Sequence, residues 1–262
     1  MAAPARWTWE TRSDGIVVVD RGSAAGSCAE FHDAPGAAGP EILLLPAGPA
    51  YETALARVGQ WAALAAPIAA ATGVPLAWVL AFMYAEGGGD PQAELHEPDG
   101  SVGVGLMALT AKPEGFPAKF GITYEEAHQP GPNLSAGIAF MKKTMDAAPA
   151  RDVVELASCY NCGFTPGQGP RTSTKSAFGL CEFCGRAGQP TSCCHIERVV
   201  RANNTFVSRG LAASPPGPVP QPPPGSLPPP VLAAATPGGP FAWMLGAVAG
   251  FALVRRWLKR KP

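Results

Sequence analysis

Apolar positions follow three different rhythms along this chain. Near the start, "GIVVVD" and "EILLLP" are short runs of branched residues bounded by Gly, Asp and Pro. They read as strands, forming a small sheet or an arm packed on the main domain. From residue 51 the rhythm becomes helical. "YETALARVGQWAALAAPIAAATG" predicts an Ala-rich helix, kinked or split at Pro67 and capped by Gly73. "VPLAWVLAFMYAEGGG" predicts a second helix, with Pro75 in its first turn and its apolar run ending at Glu86 and Gly87. "NLSAGIAFMKKTMDAA" predicts a third, opened by Asn133 as N-cap. "ARDVVELASCYNCG", ending at Gly163, and "HIERVVRANNTFVSRG" predict two more. Between them, residues 87–105 and 164–192 read as long Gly-rich loops of the kind that wall a cleft.

The third rhythm lies at the C-terminus. Residues 215–230, "PPGPVPQPPPGSLPPP", predict a stiff spacer, about 50 Å long at ~3.1 Å per residue in polyproline form. Residues 241–254, "FAWMLGAVAGFALV", are apolar or small, and "RRWLKRKP" follows. Extended to Leu258, with Arg255 and Arg256 snorkelling, the helix approaches the ~30 Å of bilayer hydrocarbon. Beyond the spacer it has no core to join. It therefore predicts a single membrane span rather than an interfacial helix, with its basic flank on the cytoplasmic side.

Composition narrows this picture. Lys and Arg together number 20, as do Asp and Glu, so bulk charge gives no reason for a nucleic-acid partner. The opening "MAAPARWTWETRSDG" lacks the basic start and apolar core of a secretory signal. The expected organisation has four parts: a β-containing segment at 1–50, a main domain at 51–210, a linker at 211–240, and a membrane helix at 241–258 with a basic tail to 262.

The candidate chemistry centres on Glu86. A carboxylate at a helix C-terminus faces the negative end of the macrodipole, and its neighbours Phe82, Met83 and Tyr84 are apolar. Both effects raise its pKa, and a glutamate kept protonated near neutral pH can protonate a glycosidic oxygen. The glycines after it let backbone approach a bulky sugar chain. On composition alone, such a glutamate is an ordinary solvated helix end.

The order of motifs changes that. "GVPLAWVLAFMYAEGGGDP", "GVGLMALT", "NLSAGIAFMKK" and "ELASCYNCG" follow one another between residues 58 and 204. Together they resemble the lytic transglycosylase and goose-type lysozyme superfamily. "SAFGL" followed by "HIERVVRANNTF" is similar, more loosely, to its phage and cell-wall members. The resemblance implies a mainly α (α+β), lysozyme-like fold with a cleft for a peptidoglycan glycan strand. It implies Glu86 as the catalytic acid and base, cleaving the bond between N-acetylmuramic acid and N-acetylglucosamine with a 1,6-anhydro product. Tyr160 would hydrogen-bond Glu86 and orient it. Gly105, Leu106, Met107 and Asn161 would line the sugar subsites.

The chain departs from the family pattern at Gly87, where Ser is usual, and at Ala108, where Gln is usual. Asp90, Glu94, Glu97 and Asp99 crowd the following loop. If one of them positions a water, the product is that of a hydrolytic lysozyme. A non-catalytic wall-binding protein on the same scaffold is the remaining alternative. The absence of a signal sequence fits a phage component that opens the wall locally, so the expected location is a phage virion or a bacterial envelope.

Six of the seven cysteines lie between residues 159 and 194. Cys159 and Cys162, with Cys181 and Cys184, have the spacing of a four-thiolate structural zinc site. Cys193, Cys194 and His195 lie just beyond. Up to three disulfides among the six is the rival reading, and compartment decides between them. The family itself needs no metal for catalysis.

Overall fold

The computed structural model describes residues 7–22, 31, 39–148, 150–162, 164–165, 167, 169–170, 178, 180 and 192–211. The Pro-rich linker and the expected membrane helix at 241–258 lie outside them. Among the described residues, no single helix is long and apolar enough to cross a membrane.

The N-terminal runs do form a small sheet. Strand β1 (Thr8–Thr11) pairs antiparallel with β2 (Val17–Asp20), which pairs with β3 (Pro40–Ile42). Val17 and Val19 alternate inward and are fully buried, as period-two patterning requires. The sheet is fastened to the helices by side chains. The Trp9 indole donates to Asp152 Oδ2 at 3.0 Å, and Asp152 Oδ1 in turn accepts the Glu155 amide at 2.9 Å, capping a later helix.

Helix α1 (Pro49–Gly59) and α2 (Ala62–Thr72) meet at a 59° bend. The expected break at Pro67 is not made: Pro67 lies inside α2, and the chain turns at Gln60–Trp61 instead. The Trp61 indole donates to the Gly89 carbonyl at 2.9 Å, so a tertiary contact sets the corner. Gly73 ends α2 as predicted, at φ 71°.

Helix α3 (Leu76–Glu86) is apolar all round, and every residue from Leu76 to Met83 is buried. It is the central helix. Its broadest partner is α7 (Ser192–Ser208), and α1 and α2 pack on it as well. Helix α4 (Phe116–Phe120) is short. Helix α5 (Pro130–Ala147) packs on α2, and α6 (Val153–Cys162) lies between α5 and α7.

Residues 87–105 are not a plain loop. They contribute β4 (Glu94–His96) and β5 (Val102–Val104), which with β6 (Leu109–Ala111) make a second antiparallel sheet. Strands this short carry too few alternations to register as a pattern. A two-stranded ribbon, β7 (Phe164–Thr165) and β8 (Gly169–Pro170), follows α6.

Candidate active site

Glu86 is the last residue of α3. Its amide neighbour Gly87 closes the helix by donating to the Met83 carbonyl at 3.2 Å. The Glu86 side chain keeps 18 % exposure. Burial pushes its pKa up to about 8, opposed in part by the Arg198 guanidinium. The carboxyl is therefore mostly protonated at neutral pH, with a face open to solvent. That is the state a general acid needs.

The segment carrying Gly105, Leu106 and Met107 packs directly behind it. A Cβ at Gly87 would lie 2.6 Å from the Gly105 carbonyl oxygen and 3.0 Å from that of Leu106. The departure from Ser at this position thus has a steric reason. Gly105 has φ +74°, and a Cβ there would strike Asn133 and the Ala127 carbonyl. Gly137 leaves room for Met107, whose Cγ would lie 2.5 Å from a Cβ at that position.

Asn133 is not the N-cap of α5. Pro130 starts the helix earlier, after Gln129 in an extended conformation. The Asn133 amide is buried instead and clamps the loop. Its Oδ1 accepts the Met107 amide at 2.9 Å, and its Nδ2 donates to Val104 O at 3.0 Å and Ala127 O at 2.7 Å. The side chains of Leu106 and Met107 are fully buried. Gly105 is buried with them, so the expected subsite residues pack behind Glu86, and the half-buried Ala108 is the exposed part of the segment. Ala108, half-buried, adopts φ 42°, a left-handed conformation rare outside glycine.

Tyr160, on α6, is packed edge-on against Phe82 (5.0 Å between centroids) and Phe140 (5.3 Å). Its hydroxyl donates to the Met107 carbonyl at 3.1 Å, not to Glu86 as expected. Burial and the Glu86 charge both raise its pKa, so it stays a neutral donor. Tyr160 therefore braces the Gly-Leu-Met segment beneath Glu86. Asn161 is half-buried beside it.

One residue near Glu86 carried no functional signal in the sequence. His195 Nε2 lies 3.6 Å from Glu86 Oε1, with its side chain 3 % exposed. Burial, then Arg198, push its pKa down to about 3, so the imidazole is neutral. A histidine beside two cysteines reads more readily as part of their cluster, which is why it was missed.

The loop carboxylates are occupied locally. Asp90 Oδ1 accepts the Gln92 amide at 2.9 Å, and Asp99 Oδ1 accepts the Ser101 amide at 2.9 Å and its hydroxyl at 2.7 Å. Glu94 accepts from Tyr124, from His128 at 2.8 Å and from His96 at 3.1 Å, and these bonds hold its pKa down. Glu97 is buried.

Cys159 is a free, buried thiol, and burial followed by the Glu155 charge pushes its pKa up to about 12. Cys181 and Cys184 lie outside the described residues, as do the side chains of Cys162, Cys193 and Cys194. No group of metal-ligating side chains is assembled among the described residues.

Residues 64–177 match the family model of the transglycosylase SLT domain. The match spans Glu86, the Gly105–Met107 segment, Asn133 and Tyr160, so the resemblance read from the motifs stands over that stretch. It supports a lytic-transglycosylase-like, peptidoglycan-acting domain. The N-terminal sheet and α7, with His195, lie outside the match. No curated protein significantly matches the chain.

Proposed function

We propose that this protein is a peptidoglycan lytic transglycosylase in which Glu86 serves as acid and then base. Its Oε–H passes to the oxygen between N-acetylmuramic acid and N-acetylglucosamine, and the C1–O bond breaks. The C6 hydroxyl oxygen then bonds to C1 as its proton returns to Glu86, closing a 1,6-anhydro ring. The observation that carries this reading is the partly buried Glu86 carboxyl at the end of α3, its pKa pushed up to about 8 by burial while 18 % of its side chain stays open to solvent. Most glycosidases need a second carboxylate. Asp90, Glu94 and Asp99 are each engaged by their own neighbours, which favours the lyase over the hydrolase. The buried Gly105–Met107 segment, braced by Asn133 and Tyr160, would support the site from behind, with the half-buried Asn161 facing the glycan.

Residues 241–258 anchor the enzyme in a membrane in this proposal, and the Pro-rich spacer lets it reach a nearby wall. A bacterial envelope or a phage particle provides that setting. Zinc or disulfides linking the cysteines of residues 159–194 would brace the loop beside Tyr160.

Mass spectrometry of digested peptidoglycan tests the reaction. Anhydro ends are expected. Reducing ends alone would mean a hydrolase, and binding without products a non-catalytic wall protein. Flotation with lipid tests the anchor: the full chain should float and resist high salt, while a version ending at Gly210 stays behind and active.

A further inference from the structure

His195 brings a ring nitrogen of α7 up to Glu86. Its Nε2 is buried and has no hydrogen-bond partner among the described residues, an arrangement that costs free energy unless a partner arrives. The nearest acceptor shown for it is Glu86 Oε1, 3.6 Å away, just beyond hydrogen-bonding distance. The ring is held in place by an edge contact with Phe82 at 6.0 Å, the same phenyl ring that Tyr160 abuts. Among the described residues, the other titratable or charged groups that face the pair are Arg198 from α7 and Tyr160 from α6. From α3 the neighbour is the apolar Phe82.

We infer that His195 is the positioning residue of Glu86: its Nε2–H closes onto Oε1 as the carboxyl ionises, leaving Oε2 to carry the proton to and from the substrate. The inference rests on the acid–base reading of Glu86. A neutral imidazole can place its proton on either nitrogen. With Nε2 bare, it would draw the Glu86 proton away from the open face. With Nε2 protonated, it leaves that proton free and gives the carboxylate a charge-assisted hydrogen bond between the two proton transfers. The imidazole neither gains nor loses a proton in this cycle. The orphaned Nε2 is then satisfied only while Glu86 is ionised, which is when the buried negative charge most needs a donor.

Nitrogen-15 NMR of labelled histidine in the full chain at pH 7 reads the tautomer directly, without any variant. The expected signal for His195 is a neutral ring protonated at Nε2. A ring protonated only at Nδ1 would overturn the inference. The His195→Leu and His195→Gln variants supply the second test, since Gln keeps an N–H donor and cannot titrate. Carbon-13 titration should show the Glu86 pKa higher in His195→Leu than in the wild type, and near wild type in His195→Gln. On peptidoglycan, His195→Leu should lower kcat about 10- to 100-fold with KM little changed, and move the alkaline limb of the pH profile upward. His195→Gln should recover to within a few-fold. A folded His195→Leu protein with unaltered Glu86 titration and kcat would refute the role. The two NMR measurements need no turnover. They therefore decide the matter even if the wild type yields no anhydro product, an outcome that would remove the proposed reaction instead.

Discussion

Helices α3 and α7 lie against each other at the centre of the fold, yet they are buried by opposite means. In α3 the run from Leu76 to Met83 is apolar on every face, and the one charged residue is Glu86 at its end. In α7 the buried positions include His195, Glu197, Arg198, Arg201, Asn203, Asn204 and Thr205. Burial of α3 follows from hydrophobicity alone. Burial of α7 leans on partners for its charged and amide groups. The Arg201 guanidinium donates Nε to Glu197 Oε1 at 2.9 Å and Nη1 to Leu44 O at 2.7 Å, and it stacks 4.4 Å above the Phe31 ring. Asn204 acts like a peptide group inserted beside β2. It accepts the Val17 amide at 2.7 Å and donates to Val17 O at 2.7 Å and Leu43 O at 3.0 Å. An apolar helix tolerates one carboxyl at its exposed end, whereas a polar helix at the centre is held by pairing.

The sharpest way to test the contrast is to remove the one carboxyl of α3. Glu86→Gln should fold and lose at least ~10²–10⁴-fold of activity, measured as release of soluble glycan. Its stability should also show what the buried carboxyl costs. The Glu86 pKa is raised from 4.5 to about 8, so its stabilising protonated form is fully present below pH 4.5 and lost as pH rises through 8. The His195 pKa is lowered from 6.5 to about 3, so stability from its neutral form is complete above pH 6.5 and lost as pH falls toward 3. The stability of Glu86→Gln relative to wild type should therefore grow between pH 4.5 and 8 in urea titrations. A gap that does not change with pH would mean the carboxyl is ionised throughout.

A smaller effect is expected at the paired polar residues of α7, and only in stability. Glu197→Gln leaves the Arg201 guanidinium buried without its counter-charge and should cost about 3–5 kcal/mol in chemical denaturation. Asn204→Ala removes three hydrogen bonds to β2 and the segment beside it, for roughly 3 kcal/mol, and should loosen the N-terminal sheet first. Hydrogen exchange at the Val17 amide would report that loosening. If either change were neutral, the polar groups of α7 would not be what holds it.

The smallest effect closes the series. Arg209, just past α7, pairs with Glu52 at 2.7 Å in an exposed setting. Arg209→Ala should leave the denaturation midpoint unchanged at physiological salt, because water screens this pair as it cannot screen Glu197 and Arg201.

The same contrast governs how much of the molecule could be read in advance. Helix α3, its terminal glutamate and the Gly73 cap follow from apolar runs and glycine positions. So does the strand within "GIVVVD", whereas of "EILLLP" only Glu41 and Ile42 join the sheet, and β1 beside them was not foreseen. The strands β4 to β6 were not legible, because three residues each give no period to detect. Pro67 was read as a breaker, but the helix carries on through it and the bend goes where Trp61 can reach Gly89. Asn133 was read as a cap from its residue type. Its partners Met107, Val104 and Ala127 come from other segments, so its clamp had no local signature.

At the site, the sequence alone placed the proposed acid, Glu86, at the end of an apolar helix, with glycines around it where other backbone must pass. Those are properties of neighbouring residues, and local pattern expresses them. Only the tertiary structure decided what stands behind that acid. It turned Tyr160 to the Met107 carbonyl, sent Leu106 and Met107 into the core, and brought His195 beside Glu86 from α7, far along the chain. Pairing energies between distant polar groups exist only once the chain has brought them together out of water, so no periodicity along the chain can announce them.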